Sequence, residues 1–198
     1  YVWQNLIDFL KKAGTVILLS TIFIWFASNF GVVNGKLVMV DDLSNGFLAF
    51  LGNIIAPLFR PLGWGEWQAA VAAITGLLAK ENVVGTFGVL YGFAEVAEDG
   101  NEIWGTLAGS YTTLSAYSFL VFNLLCAPCF AAIGAIRREM NSAKWTWFAI
   151  AYQTGLAYAV SLSIYQIGSL FTGSFGIGSI AALMVVAGFM YLLLRPQT

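Results

Sequence analysis

The sequence predicts an all-α, polytopic helical membrane bundle with about six spans, one of them a short or re-entrant helix that contains a proline. Of the 198 residues, 59% are hydrophobic and only 10% are charged, whereas a soluble domain carries roughly a quarter charged residues to cover its surface. The mean hydropathy is +0.80, and runs long enough for a ~30 Å hydrocarbon core recur along the chain. Nine Lys and Arg against ten Asp and Glu leave a net charge of -1, which supplies no basic field and excludes nucleic acid as a partner. Histidine is absent, so the commonest transition-metal ligand and the usual general base are both missing.

The elements follow from where the apolar runs begin and end. Ala13–Phe30 carries no charge and rises about 27 Å as a helix, which makes it the first crossing. A polar stretch with Lys36, Asp41 and Asp42 follows, then Gly46–Phe59, punctuated by Asn53 and Pro57. That run reaches only about 21 Å, as a half-helix, re-entrant element or short span. Trp67–Gly92 is apolar except at Lys80 and Glu81, and would rise about 39 Å if continuous. Residues 93–111 read as an acidic loop, and Ala116–Ile136, Trp145–Gly168 and Phe175–Leu194 complete the set. Lys11, Lys12, Arg60, Arg137, Arg138, Lys144 and Arg195 fall at alternate boundaries, which fits six crossings with both ends cytoplasmic. Four crossings is the rival, with Gly46–Phe59 and the Lys-Glu segment both re-entrant. The expectation is a single membrane domain over 1–198, and the opening on Tyr1 rather than Met reads as a piece of a longer polypeptide.

The residues that bear chemistry are few. Lys80 and Glu81 lie near the middle of an apolar run, where a charge costs about 2.5 to 3.5 kcal/mol on insertion scales. Adjacent helical positions point about 100° apart, so the two do not neutralise each other as an i,i+4 pair would. Either the helix breaks there or the side chains address different partners; a structural ion pair is the bland alternative to a functional role. Cys126 and Cys129 flank Ala127-Pro128, one turn apart on nearly the same face if the helix continues. Pro128 frees the carbonyl of Leu124, four residues back. Thiols beside a free carbonyl make a candidate cation site, against the plain reading of two small buried hydrophobes. Under the six-span count, Lys80, Glu81, Asn123, Cys126, Cys129 and Gln153 form one polar layer near mid-membrane, where transporters bind their cargo.

Small residues at Ala69, Ala73, Ala72, Gly76, Gly85 and Gly88 favour close helix packing. The seven tryptophans sit mostly near span ends, as an interfacial belt. No phosphate-cradling G-x-x-x-x-G-K-[ST] and no G-x-S-x-G or H-E-x-x-H signature is present, so neither an enzyme nor an energy-coupling module is expected.

Three strings together resemble the C-terminal membrane half of FeoB-type ferrous iron transporters. They are FLKKAGTVIL at residues 9–18, APLFRPLG at 56–63 leading into GLLAKENVVGT at 76–86, and Pro128-Cys129 followed by Arg137, Arg138 and Glu139. The resemblance covers about Val2–Gly168. It implies Fe²⁺ uptake across a bacterial cytoplasmic (inner) membrane through gate-type repeats, with a GTP-binding domain and a first gate repeat upstream. It implies as partners the N-terminal half of the same transporter, further copies of the protein and a small cytoplasmic accessory protein, within the lipid bilayer. Cys129 matches the family's Pro-Cys position on the iron path, Lys80 and Glu81 its intramembrane Lys-Glu, and Cys126 is an addition. The alternatives are a non-transporting membrane assembly protein on the same gate-type fold and a carrier of an organic solute such as a nucleoside.

Overall fold

A computed structural model of the chain describes residues 25–33, 36–40, 46–76, 83–93, 103–173 and 176–194, with positions 3, 7, 14, 15, 18, 19, 22, 44, 80, 100 and 101. The described positions of the expected first crossing, from 14 to 29, are all helical, and the chain turns to strand at Phe30. There β1 (Phe30–Val33) pairs antiparallel with β2 (Lys36–Met39), Phe30 opposite Met39. The hairpin replaces an expected plain polar connection. Ten residues with β-branched Val32, Val33 and Val38 around the Asn34-Gly35 pair have the composition of a two-residue turn between strands.

Helix α1 (Phe47–Phe59) keeps Pro57 inside it. Its buried positions are Ala49, Gly52, Ala56 and Phe59, while Phe47, Phe50, Ile54 and Leu58 are exposed. This helix buries its small side chains and exposes its large apolar ones, the reverse of a helix facing water and the pattern of helices packed within lipid. A 3₁₀ turn at Arg60–Leu62 and a left-handed Gly63 (φ 88°) end it. Helix α2 (Trp67–Gly76) then leaves at 94° to the preceding Phe47–Leu62 segment. A Cβ on Gly52 would stand 2.9 Å from the Trp67 carbonyl oxygen and 2.8 Å from Val71 Cγ2, so only glycine permits the close crossing of α1 and α2.

Beyond α2 the chain doubles back. Helix α3 (Val83–Leu90) packs on α2, and the hydroxyls of Thr75 and Thr86 lie 3.3 Å apart. On one straight helix those residues would be about 16 Å apart. Trp64, before α2, and Phe87, on α3, both reach the ring of Phe119, at 5.1 and 5.3 Å. Helices α2 and α3 are therefore two packed segments, with Lys80 between them in sequence, and not one straight helix: the break that the sequence left open.

The region expected as an acidic loop contains a further short helix, α4 (Trp104–Ser110). The run expected as one span over Ala116–Ile136 is divided into α5 (Thr113–Leu125) and α6 (Phe130–Met140). Pro128 disfavours helical backbone at Ala127 and offers no N–H, and here the helix ends at Leu125 rather than bending through it. Asn141 (φ 45°) turns the chain into the 29-residue α7 (Ala143–Phe171), and α8 (Ile177–Leu194) returns along it. α7 is the spine against which α5, α6, α8 and the 60–62 turn all pack. Among the described residues no single helix is both long and apolar enough to cross a membrane, but the bent pair Phe47–Leu62 with Trp67–Gly76 is, by length and composition.

Trp64 is a correction to the interfacial belt. It is 1% exposed, stacked on Phe59 at 4.3 Å with Phe119 and Phe122 against its other sides. Trp3, Trp25, Trp104, Trp145 and Trp147 are exposed as expected. The left-handed Gly63 pulls the chain inward immediately before Trp64 and sets the ring in the core.

The 58–62 corner is held from α5 and α7. Tyr158 donates to the Leu58 carbonyl (2.8 Å), Gln166 Nε2 to the Pro61 carbonyl (2.7 Å), and Ser118 Oγ to the Leu62 carbonyl (2.8 Å). Ser118 and Ser161, both fully buried, also meet at 2.7 Å, and Ser161 Oγ reaches the Ser118 carbonyl at 2.8 Å. Replacing Ser118 by Ala strands the Leu62 carbonyl in a dry interior. The expected loss is about 1 to 3 kcal/mol, read as a lower unfolding midpoint in detergent; an unchanged midpoint rejects the role of this bond. Gly63→Ala puts a Cβ into the Tyr165 ring at a backbone angle that L residues avoid. It should cost more than 1 kcal/mol, and a variant as stable as the parent in the same measurement counts against this account of the corner.

Candidate functional site

Two interrupted helices meet in the bundle. One interruption is the break between α2 and α3, and the other is the Cys126–Cys129 segment between α5 and α6. Cys126 closes α5 with extended backbone (φ -62°, ψ 169°), and Cys129 opens α6 likewise (φ -60°, ψ 160°). The backbone between them is not helical, so the two thiols do not share one face of a continuous helix as the spacing predicts. Cys126 is buried and Cys129 half-buried, both as free thiols. The Cys126 thiol donates to the Asn123 carbonyl at 3.3 Å. Cys129 caps α6 without a side-chain hydrogen bond of its own.

Lys80 joins the two interruptions. Its Nζ donates to the Cys126 carbonyl at 3.1 Å and to the Leu124 carbonyl at 3.4 Å. The last carbonyls of a helix lack partners within it, and they form the negative end of its dipole. A cation from the α2–α3 break answers both conditions. The Leu124 carbonyl that Pro128 frees is thus taken by Lys80.

Unpartnered oxygens lie around this junction. Asn123 donates its Nδ2 to the Phe119 carbonyl at 3.0 Å, but its Oδ1 is buried with no hydrogen-bond partner. Gly76 at the end of α2 leaves room for it: a Cβ there would stand 3.0 Å from Oδ1. Gln153 Oε1 on α7 is likewise buried without a partner. Helices α5 and α7 run antiparallel, with Ser118 against Ser161 and Leu114 against Gly168. Eight residues from Ser118 is Cys126, and eight back from Ser161 is Gln153, so both stand at one height about 12 Å from the serine pair.

Of the expected polar layer, the structure brings Lys80, Asn123 and Cys126 into one group. It places Gln153 at their height on α7 and Cys129 at the far side of the break. Glu81 lies outside the described residues. Among the described residues no cluster of three or more Cys, Asp or Glu could by itself hold a metal ion, so amide and main-chain oxygens would have to contribute. The Cys126 carbonyl was missed by sequence reasoning, because main-chain acceptors leave no residue-type signal, whereas Gly76 was expected as a packing residue and also makes room for the Asn123 amide.

Comparison with known proteins supplies the family. The gate family, described as nucleoside recognition, matches residues 10–143. The chain is 38% identical over 172 residues to the Fe(2+) transporter FeoB of Methanocaldococcus jannaschii, covering 85% of this chain and 25% of that protein. It is 36% identical over 169 residues to Fe(2+) transporter FeoB of Staphylococcus aureus strain COL, covering 85% of this chain and 24% of that protein. Against Fe(2+) transporter FeoB of Campylobacter jejuni the identity is 37% over 158 residues, 77% of this chain and 26% of that protein. The chain thus spans about a quarter of the length of the curated relatives it matches. No solved structure matches it. A gate match across most of the chain and FeoB likeness through both helix breaks together show that the chain belongs to the gate family as a membrane-domain segment of the FeoB type.

Proposed function

We propose that this chain forms the gate through which a longer, multi-pass protein of the cytoplasmic membrane admits ferrous iron to the cytoplasm. The observation that supports it most directly is the Lys80 ammonium held on the Cys126 and Leu124 carbonyls where two broken helices meet. A site that holds one cation on main-chain oxygens, beside a thiol and two unpartnered amide oxygens, has the polarity to hold another. Interrupted helices inside a bundle are where transporters place cargo sites.

The donor set suits a borderline divalent ion. Glu81 supplies a carboxylate, Cys129 and Cys126 thiolates, and Asn123 and Gln153 amide oxygens, all acceptable to Fe²⁺. Glu81 and Cys129 take over part of the hydration shell, and Lys80 offsets the carboxylate when no ion is bound. Binding spread over several weak ligands lets the ion leave again. The relatives' names favour iron over an organic solute or a purely structural assembly. A GTP-binding domain and an N-terminal membrane half belong to the same proposal, supported by the much greater length of those relatives; association into oligomers and a small cytoplasmic partner are part of it on the family resemblance alone. Transport, not catalysis, is the role proposed for residues 1–198 as one membrane domain.

Glu81→Gln and Cys129→Ser in the full-length protein should each lower Fe²⁺ uptake by membrane vesicles at least tenfold at equal protein abundance. Undiminished uptake in both rejects their place on the path. Gln153→Leu removes a buried oxygen that has no partner, so the unfolding midpoint should hold or rise while uptake falls severalfold. Uptake equal to the parent's takes Gln153 off the path.

A further inference from the structure

We infer that the Lys80 ammonium is a tethered counter-cation occupying the cargo ion's own place at the end of α5, so that a divalent cation and the ammonium exclude each other. The identity of the divalent cation rests on the iron reading above; the exclusion rests on geometry.

Among the described residues, the hydrogen bonds of Lys80 go to α5 and its cap: the carbonyls of Leu124 and Cys126. The acceptors that Lys80 covers include the added cysteine of the Cys126–Cys129 pair. An ion drawing on the Cys126 sulfur or either carbonyl meets the ammonium at contact distance, where two positive charges repel. One must leave before the other binds.

Lysine is built for such an exchange. Its charge is compact, sits on a flexible four-carbon stem and carries only donors, so it satisfies carbonyls without fixing a planar geometry. It lies in sequence between two helices tied by the Thr75–Thr86 hydroxyl contact, and its side chain has the rotamers to swing. When the ammonium withdraws, the negative end of α5 is left without a cation, with the unpartnered Asn123 Oδ1 one turn back on the same helix. With no ion present the ammonium compensates that end and keeps the break closed to weakly binding ions. A monovalent ion brings no more charge than the lysine already supplies. A divalent ion brings twice as much.

The test is made on full-length protein in detergent under anaerobic conditions, with Fe²⁺ as probe. Equilibrium binding should be about tenfold tighter in Lys80→Met than in the parent, because a resident competitor is gone. Lys80→Arg should bind no tighter than the parent. A second measurement needs no substitution. Saturating Fe²⁺ should raise the labelling of Lys80 by an amine reagent severalfold, as read by peptide mass spectrometry, with Lys144 as internal reference. Fe²⁺ binding to the parent with neither tightening in Lys80→Met nor added labelling overturns the inference and leaves the iron reading standing. No Fe²⁺ binding by either protein overturns both.

Discussion

A helix that stops inside an apolar body leaves its last carbonyls with neither intrahelical donors nor water, and the whole arrangement of this chain follows from that constraint. Two helices stop in this way. The carbonyls at Leu58, Pro61 and Leu62 receive donors from Tyr158, Gln166 and Ser118, and those at Leu124 and Cys126 receive Lys80. Every donor comes from more than 40 residues away in sequence. Neither broken end can exist before the elements that satisfy it have docked. The long α7 supplies Tyr158 and Gln166 and, through Ser161, orients Ser118.

The packing around these ends uses the chemistry of a lipid-facing surface. α1 turns Ala49, Gly52 and Ala56 inward and Phe50, Ile54 and Leu58 outward. Tyr117, Leu120 and Leu124 on α5 and Ile180, Leu183 and Met184 on α8 are also exposed. In water such a surface would drive association; against acyl chains it is neutral, and cohesion must come from close backbone approach and polar contacts. The Gly52 crossing, the fully buried Ala69, Ala70 and Ala72, and the Ser118–Ser161 pair supply both. One large aromatic wedge, Trp64 between Phe59, Phe119 and Phe122, fills the space that small residues leave.

Much of this was legible in the sequence, for identifiable reasons. Composition alone carries the all-α membrane class, and the end of α1 at Phe59 follows from the Arg60-Pro61 and Gly63 that succeed it. Lys80 and Glu81 announced trouble in the middle of an apolar run, and the trouble is a reversal of the chain. The direction after such a break is set by partners elsewhere, here Phe119 and the α5 end, so local sequence could not choose between a kink and a hairpin. The division of Ala116–Ile136 was half legible: Pro128 marked the freed Leu124 carbonyl, but whether a proline bends a helix or ends it depends on what satisfies the carbonyls. Pro57 stays within α1 under the same local rule. The α4 helix and the burial of Trp64 left no periodic signal, since seven residues are too few for one and a single left-handed glycine decides the other.

The contrast between the two prolines shows why charge and break belong together. At Pro57 the helix runs on, and no cation approaches it among the described contacts. At Pro128 the helix ends, and an ammonium stands at the end. A lysine ammonium set into an apolar run is unfavourable without acceptors, and so is a helix end there without donors; at this junction each supplies what the other lacks. An end that needs a cation to be stable, and whose resident cation is mobile on its stem, offers its oxygens to whatever cation displaces the first. The feature that resolves a folding difficulty at the α5 terminus is therefore the same feature that makes this junction receptive to a metal ion, and no separate binding pocket has to be built around it.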